Sequence, residues 1–391
     1  MAKPQIIRGK IKILLTGGGS GGHIYPLLSV AQSLKRLAYN NGLDLSLDYL
    51  GPVDNNVKEA FEILGINIHS LLGSKVRKSM LEVIFIDLPK FVVSIFQAWI
   101  KMFFIMPDVV FSKGGTGSMP VVLSAWFYRI PIMIHESDAI PGNNNFFAGR
   151  HFAQKIAVSF ENAKKYFDPS KTALTGNPVR EELIYKRPQI ADAKVLIGLD
   201  PQKPVIFVIG GSLGSTRINN FIIDNLRLIL SYTQIIHQVG NNNFEEVKKS
   251  IKEIFRDEVS AQKSGYVFFP YLTENLKVAY SAADIVVSRA GAGALFEAAS
   301  FSKPMILIPL PEAANDHQRA NAYEFVNKKA AIVIEEENLL PSIFTDQIKK
   351  LLSNPSLLQE MGNNANNYFY KPDAADIIAK ELIKMTGFSV I

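Results

Sequence analysis

The stretch that decides the fold is residues 11–31, which read IKILLTGGGSGGHIYPLLSVA. Its first five residues are mostly apolar and are typical of a buried strand, and the next eight form a glycine-rich turn that ends at His23. The apolar run from Ile24 onward predicts a helix. Glycines at a helix N-terminus let the backbone approach a ligand closely, and the free N–H groups there attract anions. The stretch therefore predicts a strand–turn–helix unit suited to a nucleotide.

A second unit of this kind lies at residues 205–215, which read VIFVIGGSLGS. The chain has 391 residues, enough for two domains with full cores, so two such turns predict two nucleotide-type domains that face each other across a cleft. Strand-like runs alternate with helix-like runs, which favours doubly wound parallel sheets. The further strand-like runs are 48–50, 109–112, 132–134, 155–158, 235–239, 267–269, 285–288, 305–308 and 331–334.

The domain boundaries are predicted from prolines and polar residues. Four prolines and many polar residues fall between residues 178 and 204, and proline breaks regular structure. We expect an N-terminal Rossmann-like domain at 1–177, a linker at 178–203 and a C-terminal Rossmann-like domain at 204–371. The remaining residues, 372–391, contain an amphipathic helix.

Composition excludes several classes of function. The chain has no cysteine, which excludes disulfides, cysteine metal sites and a cysteine nucleophile. Its net charge of +6 is modest and no lysine or arginine block stands out, so we expect no nucleic-acid partner. A membrane surface or a phosphorylated substrate remains open as an anionic partner. Residues 1–10 lack the apolar core of a signal peptide, which predicts a cytoplasmic protein.

Residues 81–106 are unusually apolar. The part between Lys90 and Lys101 is too short to span a bilayer, which needs about 20 apolar residues. One interpretation is a helix buried in the first domain. The other is an interfacial patch, because basic residues beside exposed aromatic side chains let a protein lie on anionic lipid. The basic residues just upstream are Lys75, Arg77 and Lys78.

Three features of the first half are candidates for one site. His23 is a candidate general base, since the positive end of a helix favours the neutral imidazole; the alternative is a histidine that only hydrogen-bonds backbone. Residues 112–120, SKGGTGSMP, form another glycine-rich turn after a strand, and His135 and Glu136 follow the next one. The carboxyl ends of parallel strands share one sheet edge, so we expect these groups on one rim. A loop that merely needs positive φ is the alternative for the glycine-rich turn.

The second half carries an anion site by the same argument. Residues 288–297, SRAGAGALFE, place small residues before a helix, which suits a diphosphate. Glu297 is a candidate to accept hydrogen bonds from a ribose diol, or it is a glutamate that matches the helix dipole. Residues 309–322 form a polar loop in which His317, Gln318 and Asn321 are candidates to bind a sugar; the alternative is an ordinary capped loop.

The order of these motifs resembles the MurG family of UDP-N-acetylglucosamine transferases, which convert lipid I to lipid II in peptidoglycan synthesis. The resemblance runs from the first strand to about Asn321 and implies an α/β protein of the GT-B architecture. In that architecture two Rossmann-like doubly wound parallel-sheet domains face each other across a cleft, and a C-terminal helix returns to the first domain. The seven matching patterns are residues 18–23 with Pro26, 135–136, 139 with 141–142, 176–180, 210–214, 288–292 with Glu297, and 316–318 with Asn321.

The resemblance implies a role for each matching residue. His23 would deprotonate the 4-hydroxyl of the acceptor, Ser212 with residues 292–297 would hold the diphosphate and ribose, and the uracil would lie near Thr273. The residues implied to bind UDP-GlcNAc are Ser20, Gly21, Gly22, Asp138, Arg180, Ser212, Thr273, Ala292, Gly293, Ala294, Leu295, Phe296, Glu297 and Gln318. The residues implied to line the acceptor side or the cleft are Gly115, Thr116, His135, Glu136 and Asn321.

The implied reaction is a single displacement with inversion. The helix N-terminus and Arg180 would stabilise the charge on the leaving diphosphate, a role that a divalent metal has elsewhere. No Asp-x-Asp pair is placed for a metal, so no metal and no cofactor are expected. The implied partners are UDP-GlcNAc, lipid I and the membrane surface, which the 75–106 region would meet on the cytoplasmic face.

Two positions depart from the family pattern. Ser137-Asp138 follow His-Glu where the family usually has Gln-Asn, and an ionised aspartate only accepts hydrogen bonds. Ala294 stands where the family usually has a hydroxyl residue, which removes one donor to the phosphates. Three alternatives stay open: a GT-B transferase with another lipid acceptor, a UDP-GlcNAc epimerase, and a nucleotide-sugar-binding protein that has lost its chemistry.

Overall fold

The computed structural model of the chain describes residues 10–18, 21–53, 55–72, 87–115, 117–211, 213–273 and 275–388. The chain folds as two units. Unit 1 consists of Met1–Arg180 with Lys371–Ile391, and unit 2 consists of Glu181–Tyr370.

Unit 1 is built on a seven-stranded parallel sheet in the order β3-β2-β1-β4-β5-β6-β7. Its central strands are nearly continuous apolar runs because helices cover both faces of such a sheet. In the register of the sheet, Ile13 lies beside Leu47 on one side and Val109 on the other. The strands are β1 (Ile11–Thr16), β2 (Leu45–Gly51), β3 (Asn67–Ser70), β4 (Val109–Ser112), β5 (Ile132–Glu136), β6 (Lys155–Val158) and β7 (Thr172–Leu174).

Six α-helices of unit 1 lie in its described residues, and the last of them comes from the C-terminal end of the chain. They are α1 (Gly21–Asn40), α2 (Asn55–Ile63), α3 (Leu88–Ile105), α4 (Met119–Phe127), α5 (Asn143–His151) and the C-terminal helix α17 (Ala374–Met385). Helix α17 packs against α1, and Ile378 and Leu382 are fully buried in the core that α1 shares with the sheet. An ion pair of 2.5 Å joins Arg36 to Asp376 at the edge of this contact.

Unit 2 repeats the arrangement with a six-stranded parallel sheet in the order β10-β9-β8-β11-β12-β13. Its strands are β8 (Val205–Ile209), β9 (Gln234–Gln238), β10 (Tyr266–Phe269), β11 (Ile285–Ser288), β12 (Met305–Leu307) and β13 (Ala331–Val333). Its helices are α6 (Glu181–Ile184), α7 (Ile190–Leu196), α8 (Thr216–Asp224), α9 (Leu226–Leu230), α10 (Phe244–Phe255), α11 (Glu258–Lys263), α12 (Leu276–Ala282), α13 (Ala292–Ser300), α14 (His317–Asn327), α15 (Pro341–Leu352) and α16 (Pro355–Phe369).

The segment predicted as a linker, 178–203, carries two helices of unit 2. Helix α7 packs on α12, and Lys194 within it forms a buried ion pair of 2.9 Å with Asp284, the residue before β11. Most of this segment is therefore part of the packing of the second unit.

Both sheets have a point where the strand order reverses, as the doubly wound prediction requires. In unit 1 this point lies between β1 and β4, and in unit 2 it lies between β8 and β11. Ligands of open α/β sheets bind in the crevice outside the carboxyl ends of the strands at such a point. The turn that ends at His23 and the glycine-rich turn after β8 both lie there.

Candidate active site

In unit 1 the turns after β1 and β4 are in direct contact at the imidazole of His23. A Cβ on Gly18 would lie 3.0 Å from Cδ2 of His23 and 3.2 Å from Cα of Gly115. A Cβ on Gly115, whose φ is +89°, would lie 2.7 Å from Cα of Gly18 and 3.4 Å from Nε2 of His23. Glycine is required at Gly115, where a side chain would collide with the backbone of Gly18, and a side chain at Gly18 would press on His23 and Gly115. The predicted candidates His23 and Gly115 are thus brought together, with Gly21 and Gly22 beside them in the first turn of α1.

Arg180 lies at the same end of α1. Its guanidinium is buried and stacks over the ring of Tyr25, 4.1 Å from the ring centroid, two residues after His23. The backbone before it is held in place because Oγ of Ser29 donates to the carbonyl of Val179 at 3.2 Å. A cation over an aromatic face is held electrostatically as well as by packing.

Glu136 shapes the turn at 137–142 with its carboxylate. Oε1 accepts the backbone N–H of Asp138 at 2.9 Å, and Oε2 accepts the N–H of Gly142 at 3.1 Å and Nδ2 of Asn145 at 3.0 Å. Burial and the charge of Asp138 raise the pKa of Glu136, while the charge of Lys113 lowers it. Asp138 itself is half-buried at the start of this turn.

His135 is fully buried behind the turn. Its Nε2 lies 3.1 Å from the carbonyl of Gly176 and 3.2 Å from Oγ of Ser159. Burial, and secondly the charge of Lys113, lower the pKa of His135 well below its ordinary value. It is a neutral residue that ties β5 to the loop after β7, and it has no surface to offer a ligand.

In unit 2 the crevice is bounded by the turn after β8 and the start of α13. Gln238 at the end of β9 fixes two loops there: its Nε2 donates to the carbonyl of Gly211 at 3.1 Å, and its Oε1 accepts the N–H of Leu272 at 3.0 Å. The next residue, Thr273, is exposed. Both loops that the sequence assigned to the nucleotide are therefore anchored to the same side chain.

The first turn of α13 faces open space. A Cβ on Gly291 or Gly293 would have no heavy atom within 4 Å. Glu297 lies one turn further, is mostly buried, and accepts a hydrogen bond from the hydroxyl of Tyr280 at 3.3 Å. Ala292 is buried and Ala294 half-buried, whereas Leu295 and Phe296 are fully buried and pack in the core.

Gln318 and Asn321, the predicted sugar ligands, both bond to neighbouring backbone. Oε1 of Gln318 accepts the N–H of Leu310 at 3.1 Å. Nδ2 of Asn321 donates to the carbonyl of Ala290 at 3.0 Å, and the residue is fully buried beneath the turn that leads into α13. Gln318 therefore fixes the start of the 309–322 loop, while Asn321 supports the turn from below.

Two functional candidates emerge that the sequence did not single out. Arg289 is buried after β11, where its Nη1 donates to the carbonyls of Ile308 and Pro309, each at 3.2 Å, and its Nη2 donates to Oγ of Ser215 at 2.9 Å and pairs with Glu336. It holds three loops of the unit 2 crevice together. Lys113 has a comparable position in unit 1. In the sequence, the feature that marks both Lys113 and Arg289 is a basic residue directly after an apolar strand and within a run of small residues.

Several predicted residues lie outside the described part of the chain. These are Ser20, Thr116 and Ser212 of the site, and Lys75, Arg77 and Lys78 upstream of the apolar segment. Within the described ranges, no group of three or more histidine, aspartate or glutamate side chains is placed to hold a metal ion.

Residues 81–86 of the apolar segment lie outside the described ranges, and the rest of the segment contains α3, which is buried on one face only. Its buried residues are Ser94, Ala98, Met102 and Ile105, and it packs against α4. Among the described helices, α3 is the one long and apolar enough to cross a membrane by length and composition. We use the name apolar patch for the exposed apolar side chains of α3, of Met106 directly after it and of α4, which are Leu88, Val92, Val93, Phe96, Trp99, Ile100, Phe103, Phe104, Met106, Trp126 and Phe127.

Comparison with known proteins gives consistent matches over both units. The model of the glycosyltransferase family 28 N-terminal domain matches residues 13–158, and that of the C-terminal domain matches residues 205–378. A Clostridium tetani protein is 35% identical over 346 residues, which cover 88% of this chain and 91% of that protein. A Clostridium kluyveri protein is 37% identical, with 87% and 91% covered. Both are named UDP-N-acetylglucosamine--N-acetylmuramyl-(pentapeptide) pyrophosphoryl-undecaprenol N-acetylglucosamine transferase.

Among solved structures, Acinetobacter baumannii MurG superimposes with a TM-score of 0.70. It is 24% identical, and the match covers 96% of this chain and 99% of that one. At this identity the likeness establishes the fold, which is the GT-B fold of two parallel-sheet α/β domains.

Proposed function

The chain belongs to glycosyltransferase family 28 and to its MurG-type N-acetylglucosaminyltransferases, and we propose from this membership that it transfers N-acetylglucosamine from UDP-GlcNAc to lipid I, which yields lipid II and UDP. The observation that carries the proposal is the 35–37% identity to transferases of that name over nearly nine tenths of the chain. An epimerase is the weaker alternative because these relatives are named for transfer.

On the acceptor side we assign the general base to His23. Its imidazole lies at the sheet's switch point, in contact with the glycines of two turns, where ligands of this fold class bind. A neutral imidazole there takes the proton of the acceptor's 4-hydroxyl as the oxygen attacks the anomeric carbon. One C–O bond forms, the bond from that carbon to the diphosphate breaks with inversion, and its electron pair leaves with UDP.

On the donor side unit 2 supplies hydrogen-bond donors to the diphosphate. The turn at Gly210–Gly211 and the open first turn of α13 present backbone N–H groups, and a helix N-terminus favours negative charge. We assign the ribose diol to Glu297, and the uracil to the loop in which Thr273 is exposed. Arg180 supplies positive charge to the leaving group. No step requires a metal or another cofactor.

The lipid-linked acceptor implies a membrane surface as a partner, and we assign that contact to the apolar patch. Phe103 and Phe104 are 59% and 78% exposed on α3, and Trp126 and Phe127 are 57% and 60% exposed on α4. Such a concentration of exposed aromatic side chains is unusual for a surface in water and suits the interface of a bilayer. The protein would then work as a peripheral protein on the cytoplasmic face, where UDP-sugars are available.

The proposal is tested by mixing the protein with UDP-GlcNAc and a short-chain lipid I analogue. We expect UDP release together with a β-linked disaccharide product. The His23→Ala variant should bind UDP-GlcNAc normally while its turnover falls at least about a hundredfold, the low end of general-base contributions. The matched control is His69→Ala, which removes a histidine of the edge strand β3 that pairs with Asp48.

Each other outcome has a defined meaning. UDP-GlcNAc binding without product would indicate another acceptor or a site that has lost its chemistry. Normal turnover in His23→Ala would remove His23 as the base. No binding of UDP-GlcNAc would contradict the assignment of unit 2.

A further inference from the structure

Lys113 is a buried cation that the proposed mechanism does not use. It follows β4 and is 2% exposed. Its backbone N–H donates to the carbonyl of Thr16 at 2.9 Å, and its Nζ donates to Oγ of Ser137 after the neighbouring strand β5. The backbone of Lys113 therefore joins β4 to the end of β1, and its side chain joins β4 to the turn after β5, at the edge that holds His23.

The charges around this ammonium are two carboxylates. Burial lowers the pKa of Lys113, and the charges of Glu136 and Asp138 raise it. One residue, Ser137, separates the two acidic groups in the chain. The charge of Asp138 raises the pKa of Glu136, and the charge of Lys113 lowers it. A buried charge is costly unless it is paired, so these three groups depend on one another.

The same lysine lies against the turn that touches His23. Gly114 and Gly115 follow it directly, and there is no room beside Gly114, since a Cβ there would lie 2.5 Å from Oδ1 of Asn145. Nδ2 of Asn144 holds the carbonyl of Gly115 at 2.9 Å. Gly115 is in turn packed on His23 and Gly18. A shift of Lys113 would pass through these contacts to the imidazole.

We propose that Lys113 is a positioning residue for the acceptor side of the reaction: its ammonium holds Ser137 and balances Glu136 and Asp138, which keeps the 137–142 turn and Gly115 in fixed geometry beside His23. The inference rests on the proposed function for its catalytic consequence. Asp138 adds a second carboxylate beside Glu136, and Lys113 supplies the opposite charge to both.

The test is a double-mutant cycle with Lys113→Met and Asp138→Asn. The Lys113→Met variant removes the positive charge that favours the ionised forms of Glu136 and Asp138. We expect its kcat to fall about tenfold, within the range of couplings between contacting groups, while the KM for UDP-GlcNAc stays unchanged. Adding Asp138→Asn removes one of the two carboxylates, so the double variant should recover the kcat of the Asp138→Asn single variant.

The matched control is Lys194→Met in unit 2. Lys194 is also a buried lysine, and its Nζ is bonded to Asp284 at 2.9 Å and to the carbonyl of Lys203 at 2.8 Å. The Lys194→Met variant should have a lower free energy of unfolding and an unchanged kcat. The proposal is overturned if Lys113→Met keeps its kcat, if Lys194→Met loses as much, or if the loss persists in the double variant.

Amide hydrogen exchange separates this inference from the proposed function. The N–H groups of Asp138 and Gly142 are bonded to Glu136, so their exchange reports on the turn without any substrate. We expect faster exchange in Lys113→Met, recovery in the double variant and no change in Lys194→Met. If the wild-type protein forms no disaccharide, the proposed function fails and the exchange rates alone test the role of Lys113. Unchanged exchange rates in Lys113→Met would overturn the positioning role, and faster rates would support it.

Discussion

Replacing Phe103 and Phe104 together by serine should weaken binding to anionic vesicles by about a hundredfold. Both side chains belong to the apolar patch, with exposed fractions of 59% and 78%. Full burial of a phenylalanine side chain is worth roughly 1.5–3 kcal/mol, so these exposed fractions correspond to about 1–2 kcal/mol each on transfer to lipid. Their sum of about 3 kcal/mol equals two factors of ten in the partition constant.

The assay is sedimentation with vesicles that contain phosphatidylglycerol, at several lipid concentrations. The matched control replaces Tyr39 and Ile63 by serine, since these are 88% and 79% exposed on α1 and α2 of the same unit. The control should bind as the wild-type protein does. Transfer to a soluble acceptor analogue should be normal in both variants, because neither pair belongs to the site.

Two results would refute the reasoning about the patch. Unchanged binding of the Phe103 and Phe104 variant would show that α3 does not meet the lipid. An equal loss in the Tyr39 and Ile63 control would show that vesicle binding follows general surface hydrophobicity.

Three further predictions concern the folded state. Leu382→Ala should lower the free energy of unfolding by about 3 kcal/mol, because it leaves a cavity between α17 and α1, whereas the exposed Lys384→Ala should change little in the same denaturant titration. Arg289→Met should cost about 3 kcal/mol by denaturation and weaken UDP-GlcNAc binding in calorimetry, because it unties three loops; wild-type values in both would contradict the role assigned to Arg289. Burial lowers the pKa of His237 to about 3, so the unfolded chain binds a proton that the folded one does not, and stability falls as pH drops below about 6.5. The loss from this residue reaches about 2 kcal/mol at pH 5, and unfolding curves of His237→Asn should show a shallower pH dependence.

The sheets were predictable because their central strands are apolar on both faces. The strands β1, β4, β5, β8 and β11 appear in the sequence as short buried runs that lead into turns, and the structure confirms them. The edge strands β3 and β7 were missed. Asn67–Ser70 contains three polar residues and is half-exposed, and Thr172–Leu174 is too short to show a period.

The candidate site could be predicted where the chain itself brings groups together. Glycine-rich turns after parallel strands must share one edge, so His23 and Gly115 were assigned to the same rim from sequence. The roles of Lys113 and Arg289 could not be found this way. Their partners Ser137 and Ser215 lie 24 and 74 residues away in the chain. Both roles depend on burial, which the spacing of residues in the sequence does not reveal.

Burial also changes the role of residues that the sequence analysis selected as ligand-binding candidates. The helical stretch at 292–297 was assigned to the nucleotide as a whole, but successive residues of a helix point in different directions. Leu295 and Phe296 therefore enter the core, while Gly293 remains open. His135 and Asn321 are hydrogen-bonded inside the fold and shape the turns in front of them.

The origin of α17 has a consequence for how the protein is made on the ribosome. The face of α1 that α17 covers belongs to the first forty residues, yet its cover is encoded after residue 370. Domains usually fold in the order of their synthesis, the N-terminal one first. Here unit 2 is complete in the nascent chain before unit 1 can close its core. Until α17 is added, α1 exposes an apolar stripe, so a chain that ends at residue 370 would carry all of unit 2 and a unit 1 whose core lacks its last helix.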